Sequence, residues 1–315
     1  MIRTEIAKGV GVLERRLFAQ APVILIYHRV AEVRDDWGTV TPSRLFAEQI
    51  EAVRSVRQVV SLSDLLAASR ESRPGRLAAI TFDDGYQDVF AVARPILERL
   101  DCPSTVFVVT GLVDQPREFW WDELGFIFLD APSLPEALEL EIRGRARRWE
   151  LPSGSRPARE RARHELRRLL RNLAPEAIET VLAALRDWAG APRPCRATHR
   201  VMSSAELAEL RGGPMRVGAH TVSHPVLPSL SKAAQALQIA QSRRACEAFV
   251  GEPVEHFAYP FGDYDGRSVA AARDAGYASA CTTAPSIVRR GADPFRLPRI
   301  SPGQADAETL LRRLG

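Results

Sequence analysis

Two neighbouring carboxylates, Asp83 and Asp84, close the apolar run Leu77-Ala78-Ala79-Ile80, and Gly85 follows almost at once. Adjacent acids repel and are costly in a buried place unless a cation or a shared proton is present. At the mouth of a parallel sheet, where strand ends feed loops, such a pair does chemistry. Asp-Asp-Gly is also good turn chemistry by itself. His220 and His224 follow a second apolar run, Met215 to Ala219. Imidazoles at i and i+4 can point to one side of a helical turn and grip one metal; the ordinary alternative is a surface or packed pair. Two of only six His fall at this spacing. With one of the carboxylates they make three protein ligands, the set a catalytic zinc uses while keeping a position open. A purely structural zinc wants four closed ligands, usually with Cys, and is disfavoured.

The elements that must carry these residues alternate. Pro22-Val23-Ile24-Leu25-Ile26-Tyr27 reads as a doubly covered strand and runs into His28-Arg29-Val30. A helix follows Thr41-Pro42-Ser43, then a short strand at Val59-Val60 and a helix capped by Ser63-Asp64. Strand Leu77–Phe82, a helix from about 88 to 100 and strand Thr105–Val109 continue the rhythm. It breaks after Phe119-Trp120-Trp121-Asp122. A hairpin around Gly144 and two helices, 155–173 and 175–188, read as an insertion at about 125–200 in a single domain of 1–315. The βα pattern resumes with strand Met215–Ala219 and runs to Leu297-Pro298-Arg299-Ile300. This order predicts an α/β fold with a parallel sheet or barrel. Residues 1–20 are expected to form a short amphipathic helix through Val10, Leu13 and Leu17.

The whole chain narrows the function classes. A 45% apolar content supports a real core, and +4 is a small excess of charge. No aromatic-interleaved basic motif argues for nucleic acid. The apolar run near the start is far short of the roughly 18 residues of a membrane span. With no signal-peptide pattern, a cytoplasmic protein is the simplest expectation. Cys102, Cys195, Cys246 and Cys281 are widely spaced and expected to be packed, reduced thiols.

Thr81-Phe82-Asp83-Asp84-Gly85 and His220-Thr221-Val222-Ser223-His224, in that order, resemble the first two motifs of the polysaccharide deacetylases with the NodB homology fold, carbohydrate esterase family 4. Tyr259-Pro260-Phe261-Gly262 resembles the core of the third. Tyr27-His28-Arg29-Val30, Phe119-Trp120-Trp121-Asp122 and Leu297-Pro298-Arg299-Ile300 resemble a bacterial subgroup tied to exopolysaccharide synthesis. The resemblance covers about 23–111 and 200–300. It implies a distorted (β/α) barrel with fewer than eight regular strands, here with a mainly helical insertion. It implies that Asp84, His220 and His224 bind a divalent metal, zinc first, with cobalt, nickel or iron also suited to these donors. It makes Asp83 the general base and the backbone N–H of Phe261 an oxyanion donor, worth roughly 3–4 kcal/mol.

The departures shape the remaining expectations. Ala258 stands where the family keeps the third-motif Arg, and neither an Asp-x-x-Asp-Trp motif nor a Leu-x-His near the C-terminus is present. Arg299 is expected to replace the missing Arg and His28 the missing general acid. His256 is an alternative acid, and His164 and His199 are expected on the insertion surface. The leading expectation is a metal-dependent hydrolase removing N-acetyl groups from an amino-sugar polysaccharide or its lipid-linked precursor. An O-acetyl esterase of the xylan type and an inactive carbohydrate-binding protein stay open. The partner in each case is an acetylated carbohydrate.

Overall fold

Continuous apolar strands need cover on both faces, and helices on a parallel sheet supply it. A computed structural model describes residues 21–35, 37–70 and 75–314; the helix expected over 1–20 lies outside these residues. Strand β1 (Val23–Tyr27) is buried throughout. The short strands β2 (Arg29–Val30) and β3 (Val40–Thr41) pair with each other. Helix α1 (Ser43–Val56) buries Phe46, Ile50 and Val53, one face at helical spacing. Next come β4 (Gln58–Val59) and α2 (Leu62–Ser69). The cap of α2 is Ser61, whose hydroxyl accepts the Asp64 N–H, two residues before the expected Ser63. Strand β5 (Leu77–Phe82) is followed by a π-turn (Val89–Ala93), helix α3 (Arg94–Arg99) and β6 (Ser104–Val108).

Helix α4 (Trp120–Gly125) opens the insertion. Strands β7 (Ala137–Ile142) and β8 (Arg145–Glu150) form an antiparallel hairpin. Its two-residue loop, Arg143-Gly144, is left-handed at both positions, as a twisted hairpin requires. Helices α5 (Arg156–Leu170) and α6 (Pro175–Ala189) complete the insertion. Leu138, Trp149, Leu166 and Leu182 share a hydrophobic cluster separate from that of the barrel. The remaining elements are α7 (Ser204–Glu209), β9 (Met215–Ala219), α8 (Lys232–Val250), β10 (His256–Ala258), α9 (Gly266–Asp274), β11 (Ser279–Cys281) and α10 (Ala307–Leu314). Cys102, Cys246 and Cys281 are packed as expected, but Cys195 is exposed.

The main sheet is parallel, in the order β1-β5-β6-β9-β10-β11, with β4 added to the start of β5. The segment Leu297–Ile300 joins its two ends. Leu297 bridges Cys281 of β11, and Ile300 bridges Leu25 of β1. The Ile26 N–H donates to the Ile300 carbonyl at 3.1 Å, and the Leu297 N–H donates to that of Ala280 at 3.0 Å. This is a curled half-barrel completed by an irregular strand. Because every strand of the barrel runs the same way, the loops after β1, β5, β9 and β10 open on one rim.

Close packing inside the curl leaves no room for a side chain at Gly218 on β9. A Cβ there would lie 2.5 Å from the Phe107 ring and 3.1 Å from the His256 carbonyl, and Phe107 is fully buried. Gly218→Ala is expected to lower stability by about 1–3 kcal/mol in urea unfolding. Wild-type stability in that variant would contradict the packing described.

Candidate metal centre and active site

Strand β5 ends at Phe82, so the next residues leave the sheet at the rim. The Asp83 N–H donates to the Tyr27 carbonyl at 2.9 Å and ties this loop to β1. Asp84 and Gly85 are then both left-handed, at φ 70° and 77°. Only glycine adopts this backbone freely; other residues lose roughly 1–2 kcal/mol. The turn parts the two carboxylates, with Asp83 facing Arg299 and Asp84 facing the histidines.

His220 directly follows β9, and its N–H donates to the Val108 carbonyl at 2.9 Å. Its Nδ1 lies 2.7 Å from the Ala258 carbonyl. A ring nitrogen facing a carbonyl carries the proton, which leaves Nε2 bare toward the carboxylates. The pair does not ride on a helical turn, as the i and i+4 spacing had suggested. Thr221 and His224 are left-handed, at φ 68° and 55°, and the loop doubles back to bring the rings together with centroids 4.8 Å apart. Gln238 of α8 clamps this loop, its Oε1 accepting the Val222 and Ser223 N–H groups at 3.0 Å each. The Asp84 Oδ1 lies 3.7 Å from the His220 Nε2 and 3.4 Å from the His224 Nε2. Ligand atoms of all three residues fall within 4.8 Å of one another.

This donor set fits a divalent cation. Among the described residues the Asp84 Oδ1 is buried with no hydrogen-bond partner, an expensive state for a carboxylate. Burial, then Asp83 and Asp122, push Asp84 far above the usual carboxylate range. Burial also lowers both histidines, with His220 adding to the effect on His224, so both rest as the neutral rings that metals bind. One carboxylate and two imidazoles suit zinc and its neighbours.

Asp83 sits in a different field. Burial alone would raise it, but Arg299 overrides burial and holds it well below the usual range. The Arg299 Nη1 donates to Oδ1 at 2.6 Å and Nη2 to Oδ2 at 2.7 Å. Its Nε reaches the Thr282 carbonyl at 2.8 Å, and Nη1 also reaches the Thr81 hydroxyl. Thus the fork is anchored on β5, on the segment after β11 and on the closing segment that carries it. The Oδ2 of Asp83 remains 3.9 Å from the His220 Nε2, beside the cation site and outside its triad.

The two motif pairs form a cleft of about 70 Å³, the size of a few water molecules, whose lining includes His28, Asp83, Asp84, His224 and Phe261. His28 is half-buried, and burial pushes it down to about 4 against the pull of Asp83. Phe261 is left-handed at φ 59°, and its ring packs 4.5 Å from that of His224. His256 does not join them: its two ring nitrogens each lie 2.8 Å from a serine hydroxyl, of Ser63 and Ser279. His164 is exposed and His199 half-buried.

Sequence reasoning missed the support behind the triad. The Trp121 ring lies 4.9 Å from that of His224, and its Nε1 donates to the Tyr86 hydroxyl at 2.9 Å. Tyr86 in turn donates to Asp122 at 2.6 Å, while Arg29 covers the Tyr86 ring and pairs with Asp88 at 2.8 Å. Burial pushes Asp122 up to about 7. Two segments quoted for their resemblance, Tyr27–Val30 and Phe119–Asp122, therefore meet at Tyr86. The signal available beforehand was polar residues set in otherwise apolar strings. The insertion also reaches the cleft, through Arg167 of α5.

The chain belongs to the polysaccharide deacetylase family, whose model matches residues 70–139 and 162–280, more than half of its length. In structure it is similar to a Streptococcus pyogenes deacetylase, PplD, solved with acetate: 18% identity, TM-score 0.62, covering 94% of this chain and 98% of that one. It is also similar to IcaB from Ammonifex degensii, at 19% identity and TM-score 0.60 over 94% and 96%. The deacetylase domain of BpsB from Bordetella bronchiseptica gives 14% and 0.54 over 90% and 96%. At these identities the likeness speaks for the fold. No curated protein matches the chain.

A cation that binds only the folded triad must stabilise it. At a hundredfold excess of zinc over its Kd the gain is about 2.7 kcal/mol, seen as a rise of several degrees in Tm. Asp84→Asn and His220→Ala are expected to remove most of that rise. A zinc shift of wild-type size in both variants would place the metal elsewhere.

Proposed function

We propose that this chain is a metal-dependent hydrolase that removes N-acetyl groups from an amino-sugar polysaccharide or its lipid-linked precursor, releasing acetate. The observation that carries the proposal is the carboxylate Asp83, locked on the Arg299 fork beside an Asp-His-His donor set. Asp84, His220 and His224 would hold the metal. When bound, a divalent metal supplies water acidic enough to attack near neutral pH and a Lewis acid for the acetyl carbonyl. Asp83 is kept ionised by Arg299 and takes the proton of the attacking water. Arg299 acts through Asp83, as a positioning residue. The backbone N–H of Phe261 is assigned to the oxyanion.

Breaking the amide C–N bond requires a proton on the departing nitrogen. His28 shares the cleft with Asp83 and is assigned that transfer. Its ring rests neutral near pH 7, given the value of about 4, so the proton collected by Asp83 is its source. The products balance as acetate and a free amine. The small cleft suits an acetyl group with the sugar ring outside. The polymer class, exopolysaccharide, follows from the resemblance of Tyr27–Val30, Phe119–Asp122 and Leu297–Ile300. A purely binding role is disfavoured, because it would keep a buried charge pair with no use for it.

Acetate release from N-acetylated hexosamine oligomers, peptidoglycan fragments, acetylated xylan and 4-nitrophenyl acetate tests the proposal. An N-acetylated glycan is expected to be turned over, and Asp83→Asn to lower kcat by about 10²–10⁴-fold. His28→Ala should slow N-acetyl release more than nitrophenyl acetate cleavage, since nitrophenolate leaves without a proton. Full activity in Asp83→Asn would end the proposal, and release from xylan alone would move it to O-acetyl esters.

A further inference from the structure

The outer wall of the cleft carries a row of arginines on helix α5. Helix α5 places Arg163, Arg167 and Arg171 one turn apart on a single face. Arg171 lies over the Phe261 ring and pairs with Asp263. Arg163 and Arg167 lie over the Trp37 ring, at 4.0 and 4.6 Å from its centre. Arg167 is the member of this row that lines the cleft, together with Trp37, Asp84 and His224. Among the described residues it makes no ion pair and no hydrogen bond, only the contact with Trp37 and longer-range fields of Arg171 and Asp84. The Asp84 carboxylate is turned to the histidines and forms no ion pair with it.

A half-buried guanidinium with five unspent N–H groups is a costly feature unless something binds it. The Trp37 Nε1 beside it is a second donor, buried and without a hydrogen-bond partner among the described residues. The turn that presents Trp37 is fixed, since Asp35 Oδ1 accepts the Gly38 and Thr39 N–H groups at 2.7 and 2.9 Å. Positive charge and donors at one edge of a cleft define a receptor for a planar or tetrahedral oxyanion.

We propose that Arg167, with Trp37, binds an anionic group of the substrate, a uronic-acid carboxylate or a sugar phosphate, on the unit next to the one whose acetyl enters the cleft. The use made of this contact rests on the hydrolase reading; the contact itself does not. The insertion then sets specificity: it supplies the charge that selects an acidic glycan over a neutral one.

The test uses N-acetylhexosamine oligosaccharides of equal length in three forms: neutral, with a neighbouring uronic acid, and with a neighbouring phosphate ester. The full chain is measured for Kd by calorimetry and for kcat/KM by acetate release. Wild type, Arg167→Ala, Arg167→Lys and, as a control on the exposed side of the same helix, Arg168→Ala are compared. The wild type is expected to prefer one anionic form, and the two anionic arms tell carboxylate from phosphate. Arg167→Ala should lower the anionic-to-neutral ratio of affinities by about 10–100-fold, the loss of a charged hydrogen-bonded contact. Arg167→Lys should recover part of the ratio, and Arg168→Ala should keep it. A fold defect lowers both glycans together and leaves the ratio unchanged. Equal binding of neutral and anionic forms by wild type, or an unchanged ratio in Arg167→Ala, overturns the proposal. Anion-selective binding without acetate release would fault the hydrolase reading and leave this one standing.

Discussion

Arg299 and Asp83 are both almost sealed from water, and removing either charge from solvent alone costs several kcal/mol. Each tolerates burial only because the other is there, in a two-pronged contact with a third anchor on the Thr282 carbonyl. That mutual need places three things at once. It holds the closing segment Leu297–Ile300 between β1 and β11. It turns the Asp83 carboxylate away from Asp84. It also leaves Asp83 ionised in a place where burial would otherwise protonate it.

Asp84 then faces the opposite problem. It lies one residue from a fixed negative charge, with a buried oxygen that nothing in the described residues satisfies. The His220 Nε2 opposite is a bare acceptor as well, and among the described residues the His224 Nδ1 is buried without a partner. A cation between these groups would relieve the cost of the buried carboxylate, whereas without one burial drives Asp84 toward its protonated form. The backbone carries part of this cost. Four of the seven left-handed non-glycine residues among those described, Asp84, Thr221, His224 and Phe261, lie in this site. Strain of that kind persists only where surrounding contacts impose it; here the Gln238 clamp and the pairing to β1 and β6 do so.

Much of the barrel was legible because β1 and β5 are largely apolar runs and its motifs are local. Asp83 and Asp84 are neighbours, and His220 and His224 lie within five residues, so their types and spacing exposed the donor set. Arg299 could be inferred from an absence, Ala258 where an arginine was expected, plus its place at a strand end. The helical turn for the His pair was misjudged because spacing alone does not reveal a left-handed Thr221. The Tyr86–Asp122–Trp121 network and the meeting of Trp37 with Arg167 were not legible. Their partners come from separate segments, and only the fold of the insertion over the rim brings them together. An Arg-rich helix is also what an ordinary solvated face looks like in sequence.

If Arg299 serves the reaction through Asp83 alone, a kinetic cycle on an N-acetylated glycan, comparing Arg299→Lys, Asp83→Asn and the double variant, tests it most directly. Groups acting as one unit are strongly non-additive. Arg299→Lys is expected to reduce kcat, and adding it to Asp83→Asn should cost nothing further. Independent losses that multiply in the double variant would contradict the account.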